Sequence, residues 1–393
     1  MLVRDGRIVA VDRPEAIGHV DAAIETHDGL LIPGLVNAHT HLDLSDVGIW
    51  PAAGSEFRSW VGRVRSLRMG RTDQQAHMAV ERGIELSLAG GTSLIGDIAG
   101  HPADASIETL RASSMEGVSF VEVFGIGQGA SGAVEAMRKA CDRWPADDRG
   151  VHVGLSPHAP YSCSRGVFEE AASMGRRVTT HLAETPAELE LLASGTGPLR
   201  TMLEADIGVW SDAVEVPACH PVDHLGDVLG SCQALCAHAN WLESAHIDRI
   251  AQTQMCVVYC PRASAAFGHA PPALPTHPWQ ALRALGVSVC LGTDSLLCLD
   301  TPDRISVLDE MRLLASRDGI DPRVLLEMAT IEGARSLGRQ VGEVCLGPQC
   351  QGVLLLKASG GSTDALLASA LSSESAPEWV LAPQKGLSQP LKS

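Results

Sequence analysis

The sequence predicts an α/β protein: a TIM-type (β/α)₈ barrel with a small β-sandwich-like domain built from both chain ends. Three observations predict it. From residue 31 onward, short apolar runs alternate with longer stretches of helical period, the pattern of a parallel sheet with crossover helices. The runs number eight, the count that closes such a barrel. Histidines and aspartates recur at the ends of the runs, where a barrel of this kind collects its chemistry.

The predicted strands are Leu31–His41, Thr92–Ile98, Ser119–Ile126, Val151–Pro157, Val178–Ala183, Ala234–Asn240, Met255–Cys260 and Val287–Thr293. Helical patterns lie between them at Ser106–Met115, Ala133–Trp144, Arg165–Met174, Ala187–Ala193, Ser244–Gln252 and Trp279–Leu285. The barrel is expected over residues 31–339, and the small β domain over 1–30 and 340–393. At the N-terminus short strands flank a turn at Asp5-Gly6, and Gly352-Val-Leu-Leu-Leu-Lys357 reads as a strand near the other end. The stretch Ala358–Ser375, rich in Ser, Ala and Gly, is expected to be loosely ordered. No internal repeat of fixed period is present.

Composition excludes several classes of function. The 393 residues carry 47 acids against 30 bases, a formal charge of -17. Such an acidic chain disfavours non-specific binding to nucleic acid or anionic membranes. No apolar run reaches the roughly 18 residues that a membrane helix needs. The first ten residues carry charges where a signal peptide needs its apolar core, so the expected location is the cytoplasm. The eleven cysteines fit reduced thiols there. The pairs Cys232/Cys236 and Cys256/Cys260 are read as small buried hydrophobes. A homodimer is the expected assembly.

The chemistry begins at His39-Thr-His41, at the end of the first run. In an extended chain residues i and i+2 share a face, so two imidazoles at a strand end can grip one ion. Taken alone the pair is weak evidence. The other runs end in Ser156-Pro-His158, Thr180-His181-Leu-Ala-Glu184, His238-Ala-Asn240, Cys260-Pro-Arg262 and Gly292-Thr-Asp294. Such recurrence at equivalent strand ends points to a metal site. His39, His41, His181 and Asp294 are the expected ligands, a set suited to one divalent ion, zinc or else iron. One position remains for a water whose pKa bound zinc lowers to about 7. Glu184, three residues past His181, is placed to move that water's proton. His238 is placed to hold the water, and Asp294 to share proton duty. No Gly-x-Ser-x-Gly elbow supports serine hydrolysis. Gly125-Ile-Gly127-Gln-Gly129 lacks the spacing that cradles a pyrophosphate.

With Pro33-Gly-Leu-Val-Asn-Ala-His-Thr-His41, Ser156-Pro-His-Ala-Pro-Tyr161, His181-Leu-Ala-Glu-Thr185, His238-Ala-Asn-Trp241, Tyr259-Cys-Pro-Arg262 and Leu291-Gly-Thr-Asp-Ser295 in place, the chain resembles the metal-dependent amidohydrolase superfamily. It is most similar to the deaminase and chlorohydrolase branch. The resemblance implies the same four ligands and Glu184 as a proton shuttle touching a ring nitrogen. It further implies that His158 contacts the substrate and His238 orients the water. Two-metal relatives bridge their ions with a lysine on the fourth strand; here no lysine lies between Lys139 and Lys357, which favours one ion. Trp60 and Phe267-Gly-His269 fall where relatives have pocket loops, either as a wall against an aromatic base or as ordinary packing. Arg262 is open to two readings, contact with a polar substituent or pairing with a scaffold carboxylate. Where relatives carry an Ala-Asp-Leu run, this chain has Gln351-Gly-Val-Leu-Leu-Leu356, so the small domain is read as abbreviated.

The function this resemblance implies is hydrolytic deamination of an aminated heterocycle, with a 6-aminopurine nucleoside such as aminodeoxyfutalosine as leading substrate. The alternative within enzymes is hydrolysis of another substituent, such as chloride, from a heteroaromatic ring. A barrel that binds without turnover is the alternative outside enzymes.

Overall fold

A computed structural model describes residues 1–51, 57–145, 150–269 and 277–385. Strands β1 (Leu2–Arg4) and β2 (Arg7–Ala10) form an antiparallel hairpin. Its turn places Asp5 and Gly6 at φ of 50° and 73°, the left-handed pair that an Asp-Gly hairpin turn adopts. Strand β3 (Leu30–Pro33) lies instead in a second sheet, antiparallel to β12 (Val353–Leu356), which pairs in turn with β13 (Glu378–Leu381). Both chain ends thus contribute to one three-stranded sheet.

The barrel consists of eight parallel strands in two runs of four. The first run is β4 (Leu35–Thr40), β5 (Thr92–Ala99), β6 (Glu116–Val123) and β7 (Val151–Pro157). The second is β8 (Thr179–Leu182), β9 (Leu235–His238), β10 (Cys256–Tyr259) and β11 (Val289–Leu291). Parallel bridges Leu155↔Val178 and Thr40↔Asp294 join the runs and close the ring. The strands are buried almost throughout, as parallel strands covered by helices must be.

The predicted first strand, Leu31–His41, is two strands. Gly34 breaks it: its N–H donates to Gly352 O at 2.9 Å, and a Cβ there would meet Ser93 Oγ at 2.5 Å. Only glycine allows this approach, and it sends β3 to the outer sheet and β4 into the barrel.

The helices the sequence predicts are present with small changes at their ends. Further helices, among them Phe57–Met69, Asp73–Ala89, Pro221–Ser231, Val307–Asp318 and the continuous segment 322–336, add to the outer layer. The expectation of a loosely ordered Ala358–Ser375 is corrected. Ser362 caps a helix at Thr363–Leu371 by accepting from Ala365 N at 3.2 Å. Leu367, Ala370 and Leu371 are buried, and burial of one apolar face outweighs a composition that reads as flexible. Gln351-Gly leads into β12, which pairs on both sides. Among the described residues, no helix is long and apolar enough to cross a membrane.

Candidate active site and metal centre

The C-terminal ends of β4, β8, β9 and β11 converge on one point. His41 Nε2 lies 3.4 Å from His181 Nε2 and 3.4 Å from Asp294 Oδ1. His39 Nε2 is 4.0 Å from the same Asp294 oxygen. One ligand atom each from His39, His41 and Asp294 falls within 4.8 Å of the others, and so do those of His39, His181 and His238. Among the described residues, neither ring nitrogen of His39 has a hydrogen-bond partner, and Nε2 of His238 has none. Buried polar atoms are normally satisfied, so this cluster fits a cation that would satisfy them.

Electrostatics agree with that fit. Burial holds His39, His41 and His238 well below the usual imidazole range and brings His181 to about 4. All four rings are therefore neutral at pH 7, the form a metal requires. His181 Nδ1–H donates to His158 O at 2.8 Å. That bond fixes the tautomer and leaves Nε2 with its lone pair toward the cluster. Burial raises Asp294 to about 7, and a bound cation would pull it back down.

Glu184 follows β8 with Oε1 3.8 Å from His238 Nε2. Burial, then Asp294 and Glu188, push its carboxyl well above the usual range. Glu188 anchors the segment, accepting from Ala183 N at 3.0 Å and Glu184 N at 2.8 Å. His158 ends β7 with Nδ1 2.7 Å from Ser162 Oγ, and its ring lies 4.8 Å from that of His181. The sequence-predicted His39, His41, His158, His181, Glu184, His238 and Asp294 are thus brought together.

Arg262 is not. Its side chain is 6% exposed and turned away from the cluster. Nε donates to Glu310 Oε1 at 2.6 Å, Nη1 to Asp300 and Thr301 at 2.9 Å each, and Nη2 to Ser306 O at 3.1 Å. Of its two readings the structure shows the scaffold pairing, and the substrate-binding assignment is corrected.

Sequence reasoning did not single out three charged residues beside His41. Arg68, from the helix Phe57–Met69, donates to Asp43 through Nε at 2.7 Å and Nη2 at 3.0 Å, and through Nη1 to Glu122 Oε2 at 2.7 Å. Its Nη2 also lies 3.2 Å from His41 Nδ1. The available signal was a glutamate near the end of an otherwise apolar run, Phe120-Val-Glu-Val123. The eleven cysteines are all free. Cys236 and Cys260 are buried and Cys232 and Cys256 half-buried, and none joins a metal-ligand cluster among the described residues.

His41, His181, Glu184, His238 and Asp294 line a cavity of about 710 Å³, the size of a small-molecule site. Phe57, Trp60, Phe124, Ile126, Met202 and Phe267 supply much of its wall. Trp60 and Phe267 stand edge to face with centroids 5.0 Å apart, so they pack on each other and also face the cavity. His269 stacks on Phe267 and lines a second, adjoining cavity.

Comparison with known proteins follows the same lines. Residues 30–357 match the amidohydrolase family. Aminodeoxyfutalosine deaminase of Deinococcus radiodurans is 30% identical over 362 residues, covering 85% of this chain and 81% of that protein. Among solved structures, Helicobacter pylori aminofutalosine deaminase in complex with methylthio-coformycin superposes with a TM-score of 0.77 at 19% identity, covering 98% of this chain and 94% of that one. A mutant of atrazine chlorohydrolase from Arthrobacter aurescens, complexed with zinc and atraton, gives 0.73 at 19% identity, covering 100% and 91%. The match to the family spans most of the chain, and the chain belongs to the amidohydrolase family.

Proposed function

We propose that this chain is a metal-dependent hydrolase that removes the amino group of an aminated heterocycle, a 6-aminopurine nucleoside foremost. Aminodeoxyfutalosine is the leading candidate, as the Deinococcus relative is named for that deamination. The carrying observation is the convergence of His39, His41, His181 and Asp294 with Glu184 and His238 beside one largely apolar cavity.

In this reading His39, His41, His181 and Asp294 hold one divalent ion, zinc by preference. The ion supplies Lewis acidity that makes water a competent nucleophile at neutral pH. The chain's own groups do the rest. His238, neutral and with Nε2 free, holds the attacking water against the ring. Glu184, whose burial favours the protonated carboxyl, passes its proton to a ring nitrogen and draws electrons from the carbon under attack. The water oxygen bonds to that carbon while Glu184, now a carboxylate, takes one proton from the water and passes it to the amino nitrogen. The carbon–nitrogen bond breaks, ammonia leaves, and the oxygen's remaining proton returns to Glu184, leaving a carbonyl. The apolar wall excludes bulk water and strengthens each of these contacts. Residues 31–339 carry the chemistry, with the chain ends forming the small β unit.

The test is ammonia release by the metal-loaded protein from aminodeoxyfutalosine, adenosine, methylthioadenosine, S-adenosylhomocysteine, guanine, cytosine and aminotriazines. Release from a purine nucleoside supports the reading. Silence across the panel with metal bound overturns deamination and moves the assay to chlorinated rings.

A further inference from the structure

Glu122 is built into the cavity wall with one oxygen left over. Its side chain is 1% exposed. Oε2 accepts from Arg68 Nη1 at 2.7 Å, and Oε1 has no hydrogen-bond partner. A buried acceptor without a donor is costly, and no group among the described residues supplies one. Glu122 lines the same cavity as the metal-ligand cluster, with a carboxylate oxygen within 4.8 Å of ring nitrogens of both His158 and His181.

We propose that Glu122 is a specificity-determining residue whose free oxygen accepts a hydrogen bond from a sugar hydroxyl of a nucleoside substrate. This deepens the deaminase reading and rests on it. The chemistry of the ligand group follows from the charges. Arg68 already serves two carboxylates, Asp43 through Nε and Nη2 and Glu122 through Nη1. With its one guanidinium already shared by two carboxylates, the cluster has no cation to spare for a carboxylate or phosphate on the substrate. A second metal ion would lie beside the guanidinium and is disfavoured by that charge. A neutral O–H donor meets neither objection.

Position around the barrel selects the sugar. Glu184 and His238 follow β8 and β9, and Glu122 stands near the end of β6, on the far side of β7. A ring held at Glu184 therefore presents to Glu122 the part of the molecule beyond the base. The same cavity is lined by Phe124, Ile126, Ala133 and Ala136, a wall suited to an uncharged 5′ substituent.

The experiment measures kcat and KM of the metal-loaded enzyme on adenosine, 2′-deoxyadenosine and 3′-deoxyadenosine. In the wild type, loss of the hydroxyl that meets Glu122 should lower kcat/KM by about 10- to 100-fold, the worth of a hydrogen bond to a charged group. In Glu122→Ala adenosine should suffer a similar loss, chiefly in KM, and deletion of that hydroxyl should then cost little. Glu122→Gln, which keeps a neutral acceptor, should recover part of the loss. Metal content and thermal midpoint establish that each variant is folded; if Glu122→Ala does not fold, the wild-type series decides alone. Equal efficiency of the wild type on all three nucleosides overturns the inference and spares the deaminase reading. Undiminished sensitivity to the hydroxyl in Glu122→Ala does the same. Silence on all three and on every other aminopurine nucleoside overturns both.

Discussion

Replacement of Arg262 by alanine separates its two roles cleanly. Arg262 makes four side-chain hydrogen bonds, to Glu310, Asp300, Thr301 and Ser306. Asp300 is 81% exposed, so that ion pair contributes little. Glu310 is fully buried and keeps only the backbone N–H of residue 262, 2.9 Å from Oε2. Breaking a buried pair on one side costs about 3–5 kcal/mol, largely from the charge left behind. Arg262→Ala should therefore lose about 3–5 kcal/mol in urea unfolding, a large share of a typical domain's stability. Burial pushes the Glu310 carboxyl up and Arg262 holds it down, so the variant's Glu310 takes up a proton more readily. A carboxyl whose folded pKa lies above its unfolded value costs stability as pH rises through the folded value. The deficit should thus be larger at pH 8 than at pH 5. The double change Arg262→Met with Glu310→Leu, which removes both charges, should recover most of it. KM should stay near wild type in every folded variant. A deficit under about 1 kcal/mol together with a raised KM would refute the scaffold pairing.

Glu184→Gln should keep its metal, read by elemental analysis, and lower turnover by about 10²–10⁴-fold; normal turnover would remove Glu184 from the mechanism. Chelation should abolish ammonia release and lower the thermal midpoint, and zinc should restore both; at 100-fold excess over Kd the ion contributes about 2.7 kcal/mol. His277, whose Nε2–H donates to His238 O at 2.5 Å, is lowered to about 3 by burial. Its share of stability is complete above the unfolded value near 6.5 and is lost as pH falls toward 3. Metal-free His277→Gln should accordingly show a flatter stability–pH slope by about 1.4 kcal/mol per unit between those limits, and an unchanged slope would contradict a neutral buried ring. Ser362→Ala should cost about 0.5–2 kcal/mol through loss of the helix cap; no change in urea midpoint would show that the Ser362 cap does not stabilise the fold.

The candidate metal site was legible because it sits at strand ends. Residues 39 and 41 share a face by simple alternation, and His181 and Asp294 close apolar runs whose period is unmistakable. Arg68 was not legible. It lies on a helix, Phe57–Met69, inserted between the first two barrel strands, and its charge looks like any solvated arginine until tertiary packing brings it to Asp43 and Glu122. Helix Thr363–Leu371 was hidden for the opposite reason, since its Ala- and Ser-rich sequence orders only where Leu367 and Leu371 find a partner surface. Strand ends were misplaced by a residue or more for a local reason. Ala183, His238, Ala239 and Asp294 have φ of 48°, 72°, 50° and 58°, which ends the ladder while the sequence still reads as extended.

Those four positions also explain how the site keeps its geometry. A non-glycine residue at positive φ is held only where its surroundings over-determine it. Each strained strand end here is tied to another element of the barrel mouth. Glu188 accepts from Ala183 and Glu184 N–H groups. Asn240 Nδ2 donates to Glu184 O at 3.1 Å, and Ser264 Oγ donates to Asn240 Oδ1 at 2.8 Å. His277 takes the carbonyl of His238, and Thr40 Oγ1 donates to Asp294 O at 2.8 Å. The strain is therefore distributed over strands β4, β8, β9 and β11 and relieved by none of them alone. Side chains aimed by such a ring cannot relax independently toward water, which is the preorganisation that a hydrolytic centre needs before its substrate arrives.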